Sequence, residues 1–391
     1  MWILRWNKRQ LRALSYAILL WSAITTWIVV DHERSKDHYL STTLAEVPSN
    51  FNTQLLSPDE IESTCRSHGF AAYKVTPENP KRKVYDLVLM STELDWLEIR
   101  LHTLADQVDY FVIVESPTTF TGKLKPLHLR DNWHRFAPFH HKIIHRVVPD
   151  EIQSARIWDH EDAFRNALFT HVFPGLIGTP QQAQTDDVLV VSDMDEIPRP
   201  GTLVLLRLCA FPLRLTLRSE FYYYSFQWRH RGPQWAHPDA TLYRGAQTLL
   251  PNDLRQGLLP SSSGSGSTSL TGGFLSFMSI PLASLKRYWT RATLYNAGWH
   301  CSSCFSTLTE LRAKMHGFSH QGWNTAANRE AATVIERVRK GLDLFGREGE
   351  VYDRVEGNGD LPAYLKGEWE GKGRFGWLLD RDGSKGGFVD L

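Results

Sequence analysis

Short apolar runs alternate with helix-like segments between residues 84 and 196, and this alternation limits the possible folds more than any other feature. Tyr85 to Met90 (YDLVLM), Phe111 to Val114 (FVIV), Lys142 to Val148 (KIIHRVV) and Val188 to Val191 (VLVV) are strand candidates. Between them, Leu94, Leu97, Leu101 and Leu104 recur at helical spacing, and Asp159 to Phe173 reads as a second helix. Apolar strands separated by helices predict an α/β fold, with a mostly parallel sheet flanked by helices on both faces. Ligands on such sheets sit beyond the carboxyl ends of the strands. Three polar signals fall at such ends: Ser91 to Asp95, Glu115, and Asp193 to Glu196.

The flanking regions read differently. Ala13 to Val30 carries no charged residue and, as a helix, spans roughly 27 Å, the width of a membrane's hydrocarbon core. Arg5, Lys8, Arg9 and Arg12 precede it, so the amino side is expected to stay cytoplasmic. Residues 1–12 are then a cytoplasmic tail, 13–30 a single transmembrane helix, 31–82 a stem and 83–391 a lumenal domain. Within that domain, Leu213 to Trp228 predicts one or two further strands, and 306–318 and 329–342 predict helices. Residues 261–269 (SSSGSGSTS) predict a flexible loop, and the chain after Gly371 is expected to be irregular. The net charge of +1 provides no field for nucleic acid.

Asp193 and Asp195 are the sharpest chemical signal. Carboxylates two residues apart at a strand end can face one hard cation such as Mn²⁺ or Mg²⁺, which leaves positions open for substrate phosphates. An ion held there would stabilise charge on a departing diphosphate. Arg100 and Arg165 are candidate diphosphate contacts, with Asp95 and Glu115 as candidates for the nucleoside side. Transfer by single displacement needs a general base, for which Glu220, Glu310 and His300 are the candidates, in that order. The aromatic run Tyr222, Tyr223, Tyr224, Phe226 and Trp228 would divide between core and acceptor sugar. Neighbouring acids cannot straddle a sugar ring as a glycoside hydrolase requires. A non-catalytic, membrane-tethered carbohydrate-binding protein is the alternative reading.

Four cysteines allow three full pairings. In a lumenal space a local Cys301–Cys304 disulfide is the simplest reading of the Trp299-His300-Cys301-Ser-Ser-Cys304 patch. A zinc site would need a second pair, which is absent.

Several stretches carry a family likeness. They are Glu93-Leu-Asp95-Trp-Leu-Glu98-Ile-Arg100 with the following LHTLADQVDYFVIVES, Gly122 to Leu127, Asp186 through Asp193-Met-Asp195-Glu196-Ile-Pro198, and AGWHCSSCF. With them the chain resembles glycosyltransferase family 17 over roughly residues 83–345. The resemblance implies a GT-A-like fold, UDP-GlcNAc or another UDP-sugar as donor, a mannose-containing N-glycan as acceptor, Mn²⁺ dependence, inversion at the anomeric carbon and a type II Golgi topology.

Overall fold

The computed structural model describes residues 8–9, 12, 15–16, 18–19, 21–23, 26, 37–77, 80–257, 290–366 and 373–391. Its main element is an 11-stranded sheet. In chain order the strands are β1 (Asp37–Tyr39), β2 (Val84–Met90), β3 (Tyr110–Glu115), β4 (Ile143–Val147), β5 (Val188–Ser192) and β6 (Glu196–Pro198). They continue with β7 (Arg214–Tyr223), β8 (Ser225–His230), β9 (Asp239–Leu242), β10 (Arg291–Ser302) and β11 (Tyr352–Arg354). The sheet order is β1-β10-β7-β9-β5-β2-β3-β4, with β6 paired to β10, and β8 paired to β7 and β11. Along that order only β9 runs antiparallel to its neighbours.

Among the described residues, the α-helices of five residues or more are α1 (Pro58–Ser67), α2 (Leu94–Leu104), α3 (Ile157–Thr170), α4 (Pro200–Leu208), α5 (Pro251–Arg255), α6 (Leu308–Gly317) and α7 (Ala331–Lys340). Strand residues divide by parity. Val84, Val88, Phe111, Ile113, Val188 and Val190 pack in one core with α2 and α4. Tyr85, Leu87, Val112, Val114, Leu189 and Val191 pack in a second core with α3. Burial on both faces is why these strands lack polar alternation. Because β2, β3 and β5 are parallel, their carboxyl ends and the polar loops after them lie along one edge. The expected mostly parallel α/β sheet, flanked by helices, is therefore present.

Two expectations are corrected. Among the described residues no helix is long and apolar enough to cross a membrane, contrary to the expected transmembrane helix over 13–30. Of the 13–30 segment, residues 15–16, 18–19, 21–23 and 26 are described and helical, and the remainder lies outside the described residues, as does the 261–269 loop. The proposed stem, over its described part, is not a free spacer. β1 pairs with β10, Leu40, Leu44 and Phe70 are buried, and Cys65 is bonded to Cys209. At Gly201 in α4 an added Cβ would lie 1.8 Å from the Leu44 carbonyl, so only glycine allows this segment to dock so closely. A few well-placed apolar side chains suffice to anchor a mostly polar stretch.

The second disulfide joins Cys301 to Cys304, as the sequence suggested. Cys65–Cys209 closes a separation of 144 residues. Removing such a crosslink relaxes the unfolded chain and typically costs about 2–5 kcal/mol. The Cys65→Ser/Cys209→Ser variant is expected to unfold at clearly lower temperature and denaturant concentration. An unchanged midpoint would mean that the crosslink does not stabilise this chain.

Candidate active site

Beyond β5 the chain turns through Asp193, Met194 and Asp195 and enters β6, which lies against β10 with Glu196 opposite His300. The approach is close: a Cβ on Gly298 would come within 2.6 Å of the Ile197 carbonyl. Arg100 fixes the turn from beneath. Its guanidinium is fully buried, pairs with Asp86 through Nε and Nη2 at 2.6 Å each, and donates to Ser192 Oγ at 2.8 Å. Nη1 points at the carbonyls of Asp193, Met194 and Glu196, at 3.3, 3.4 and 2.7 Å.

The acids of the turn face different partners. Asp193 accepts from Arg165 Nη2 at 3.2 Å and Arg255 Nη2 at 3.1 Å. Glu196, fully buried, accepts from Arg255 at 2.7 and 3.0 Å, from Trp235 Nε1 at 2.7 Å and from the Asp193 amide at 2.8 Å. Burial alone would raise both carboxyls, but the Arg255 guanidinium outweighs it and holds both below the usual carboxylate range.

Asp195 is the exception. It is buried, yet among the described residues its carboxylate has no hydrogen bond; the nearest cations are Lys314 Nζ at 3.7 Å and His300 Nδ1 at 3.8 Å. Burial pushes its carboxyl up, against the pull of Lys314 and His300. His300 Nδ1 is itself buried without a hydrogen-bond partner. A carboxylate and an imidazole nitrogen with unused lone pairs, side by side, suit a divalent cation. Among the described residues no group of three His, Cys, Asp or Glu side chains forms a complete metal site, so substrate and water would have to supply the remaining ligands.

Lys314 sits on α6, whose first turn is capped by Thr307, and its ammonium also pairs with Glu93 at 3.0 Å. Glu93 accepts from the amides of Ser91 and Thr92 at the end of β2, which ties α6 to that strand end. Beside Lys314 and His300 opens a cavity of about 420 Å³, walled by rings including Phe221, Trp235, Trp323 and Phe345. Trp235 and Phe221 both pack against His300, at 4.6 and 5.0 Å between centroids, and against each other at 5.4 Å, so the three rings form one cluster. A larger cavity of about 700 Å³ lies beside Trp299 and Asp360; the acids at the strand ends line neither cavity, but His300 and Lys314, the two groups bordering Asp195, line only the smaller one, so the chemistry is placed there.

With this geometry in hand, known proteins supply the family. The profile of glycosyltransferase family 17 matches residues 12–249 and 285–357. The chain belongs to that family. Human beta-1,4-mannosyl-glycoprotein 4-beta-N-acetylglucosaminyltransferase is 25% identical over 333 residues, which is 78% of this chain and 57% of the human protein. The rat protein of the same name is 26% identical over 254 residues, 60% of this chain and 42% of its own. The chain thus spans about half the length of these relatives. The crystal structure of glucosyl-3-phosphoglycerate synthase from Mycobacterium tuberculosis in complex with phosphoglyceric acid matches at 12% identity and a TM-score of 0.30, covering 68% of this chain and 83% of that one.

The candidates read from the sequence of this family 17 member separate into those at the site and those elsewhere. Asp193, Asp195, His300 and Arg165 are together, although Arg165 is already engaged by Glu161 and Asp193. Arg100 is no phosphate contact, because its donors are occupied in the core. Glu115 is buried at the end of β3, where it accepts from the amides of Leu129 and Arg130 and caps the short helix there. Asp95 pairs with Arg135 and Arg374, away from the metal-type acids. Glu220 sits on β7 next to Phe221, and strand alternation turns it to the opposite face from His300, where Arg229 and Gln234 engage it. Glu310 accepts from Thr307 and Ser306 in its own helix cap. Of the aromatic run, all five are buried and only Tyr223 lines the cavity. Lys314, Arg255 and Trp235 are site residues that the motifs did not reveal, whereas Glu93 stands inside a recognised stretch without an assigned role.

Proposed function

We propose that this chain is an inverting, metal-assisted glycosyltransferase that moves GlcNAc from UDP-GlcNAc onto a mannose-containing N-glycan. The observation that carries the reading is Asp195: a buried carboxylate without a hydrogen bond, beside an unpartnered His300 Nδ1 and the Lys314 ammonium, at the edge of an aromatic cavity. The names of the relatives support the choice of sugar and acceptor.

In this reading Asp195 and His300 hold a Mn²⁺ or Mg²⁺ ion, and Asp193 lies within the same charged field. When bound, the ion supplies positive charge to the departing diphosphate. Lys314 adds a second cation on the same side and reaches the diphosphate from its pairing with Glu93. Arg255 and Arg165 keep Asp193 ionised and oriented, while Arg100 holds the turn in register. The ring walls take the apolar faces of pyranose rings and exclude water from the reacting centre. The two disulfides fit an oxidising, lumenal compartment.

The test uses the full chain. Thermal melting is expected to rise with UDP plus Mn²⁺ and not with UDP plus chelator. Mass spectrometry of a mannose-containing N-glycan incubated with UDP-GlcNAc and Mn²⁺ should show one added N-acetylhexosamine. Glycan binding without any response to sugar nucleotides would instead make the chain a carbohydrate-binding protein.

A further inference from the structure

The transfer proposed above requires a base that the sequence did not identify, and each of its acidic candidates is engaged elsewhere. The cavity beside His300 narrows the choice. Of all the carboxylates among the described residues, only that of Glu350 lines it. Glu350 lies just before β11, with its side chain 31% exposed. Its Oε2 is 3.1 Å from His230 Nε2, and its other oxygen has no partner among the described residues. The His230 ring packs against Phe221, at 4.9 Å, and Tyr352, at 5.5 Å, which also contact each other at 6.1 Å. Phe221 in turn stacks on His300, which borders Asp195. One continuous wall therefore runs from the proposed ion site to the Glu350 carboxylate. The cavity volume falls within the range of small-molecule sites.

We infer that Glu350 is the general base and that this cavity is the acceptor-sugar subsite, an inference that rests on the transferase reading. The acceptor is a pyranose whose ring lies against the aromatic wall and whose reacting hydroxyl donates to the free oxygen of Glu350. As that hydroxyl oxygen bonds to the anomeric carbon, its proton passes to the Glu350 carboxylate. The bond from the anomeric carbon to the donor's phosphate oxygen breaks, and its electron pair leaves on the diphosphate. Configuration inverts, and the proton on Glu350 is afterwards lost to water. His230 is a positioning residue that holds the carboxylate through Nε2. The other charged or titratable groups facing this corner include Arg347, which is paired with Asp343 at 2.6 Å, and the stacked Tyr352 and Tyr223, whose hydroxyls burial pushes up.

Glu350→Gln removes the proton acceptor with little change of shape. Its kcat for transfer is expected to fall by about 10²–10⁴-fold, with loss of the acid limb of the pH–kcat profile. Stabilisation by UDP plus Mn²⁺ should stay at the parent value. Glu350→Asp should recover part of the rate and keep an acid limb, which a purely structural role would not produce. His230→Asn should lower kcat while retaining that limb. Transfer by Glu350→Gln within a few-fold of the parent, with the same acid limb, overturns the assignment. So does loss of the limb in His320→Asn or His300→Asn but not in Glu350→Gln. A parent chain that binds no sugar nucleotide and transfers nothing overturns the transferase reading itself, an outcome distinct from an active parent with an indifferent Glu350.

Discussion

Asp195→Asn is expected to abolish transfer, with a loss of at least about 10³-fold, while the chain stays folded. Its carboxylate accepts no hydrogen bond among the described residues, so the amide removes charge without breaking a bonded network. Lys314 keeps Glu93 as its partner. The ion, by contrast, loses its buried anionic ligand. Stabilisation by ligand follows occupancy and reaches about 2.7 kcal/mol when ligand is at a hundred times its dissociation constant. The increment in melting temperature that UDP plus Mn²⁺ gives the parent should therefore disappear in Asp195→Asn. Asp193→Asn should behave differently. Arg165 and Arg255 both lean on that carboxylate, so the variant should melt lower without any ligand and should lose only part of its response to UDP plus Mn²⁺. If Asp195→Asn retains both the Mn²⁺-dependent increment and turnover, the ion is held elsewhere and the proposed site falls.

What the sequence revealed and concealed follows from range. The expected helix 94–104 and strand 188–191 are found almost to the residue, because both-sided burial writes uninterrupted apolar runs into the chain. The Asp-Met-Asp signal after VLVV was legible for the same reason. β10 was not. Its RATLYNAGWHCS carries polar residues and a register shift between Leu294 and Gly298, so no clean run marks it. Without β10 the neighbourhood of His300 could not be drawn, and Glu220 could not be placed on the wrong face. Lys314 and Arg255 reach the acids only through tertiary folding, and an isolated basic residue on a short helix carries no local sign of its partner. Arg100 had such a sign in Asp86. An acid within the run YDLVLM must be neutralised if the strand is buried, and an arginine among Leu97, Ile99, Leu101 and Leu104 is the natural counterion. Asp86 thus marks Arg100 as scaffold and not as a substrate contact.

That reassignment carries the largest expected effect on stability. Arg100→Met leaves Asp86, 1% exposed, without its cation in the core, and deprives three carbonyls of the turn of their donor. Breaking a buried pair in this way costs about 3–5 kcal/mol, a large share of what holds a domain together. The denaturation midpoint should fall accordingly, or the protein should fail to accumulate. Asp86→Asn combined with Arg100→Met should be less damaging than the sum of the single changes, since the double variant leaves no unpaired charge. Arg100→Lys separates the two duties of the side chain. An ammonium can neutralise Asp86 but cannot also reach Ser192 and the carbonyls of residues 193, 194 and 196, because those contacts use the forked guanidinium. Arg100→Lys should therefore recover part of the stability and little of the UDP–Mn²⁺ response, because Asp195 then hangs on an unsupported turn. A midpoint for Arg100→Met within about 1 kcal/mol of the parent would show that the turn is held by Arg255 and Glu196 alone.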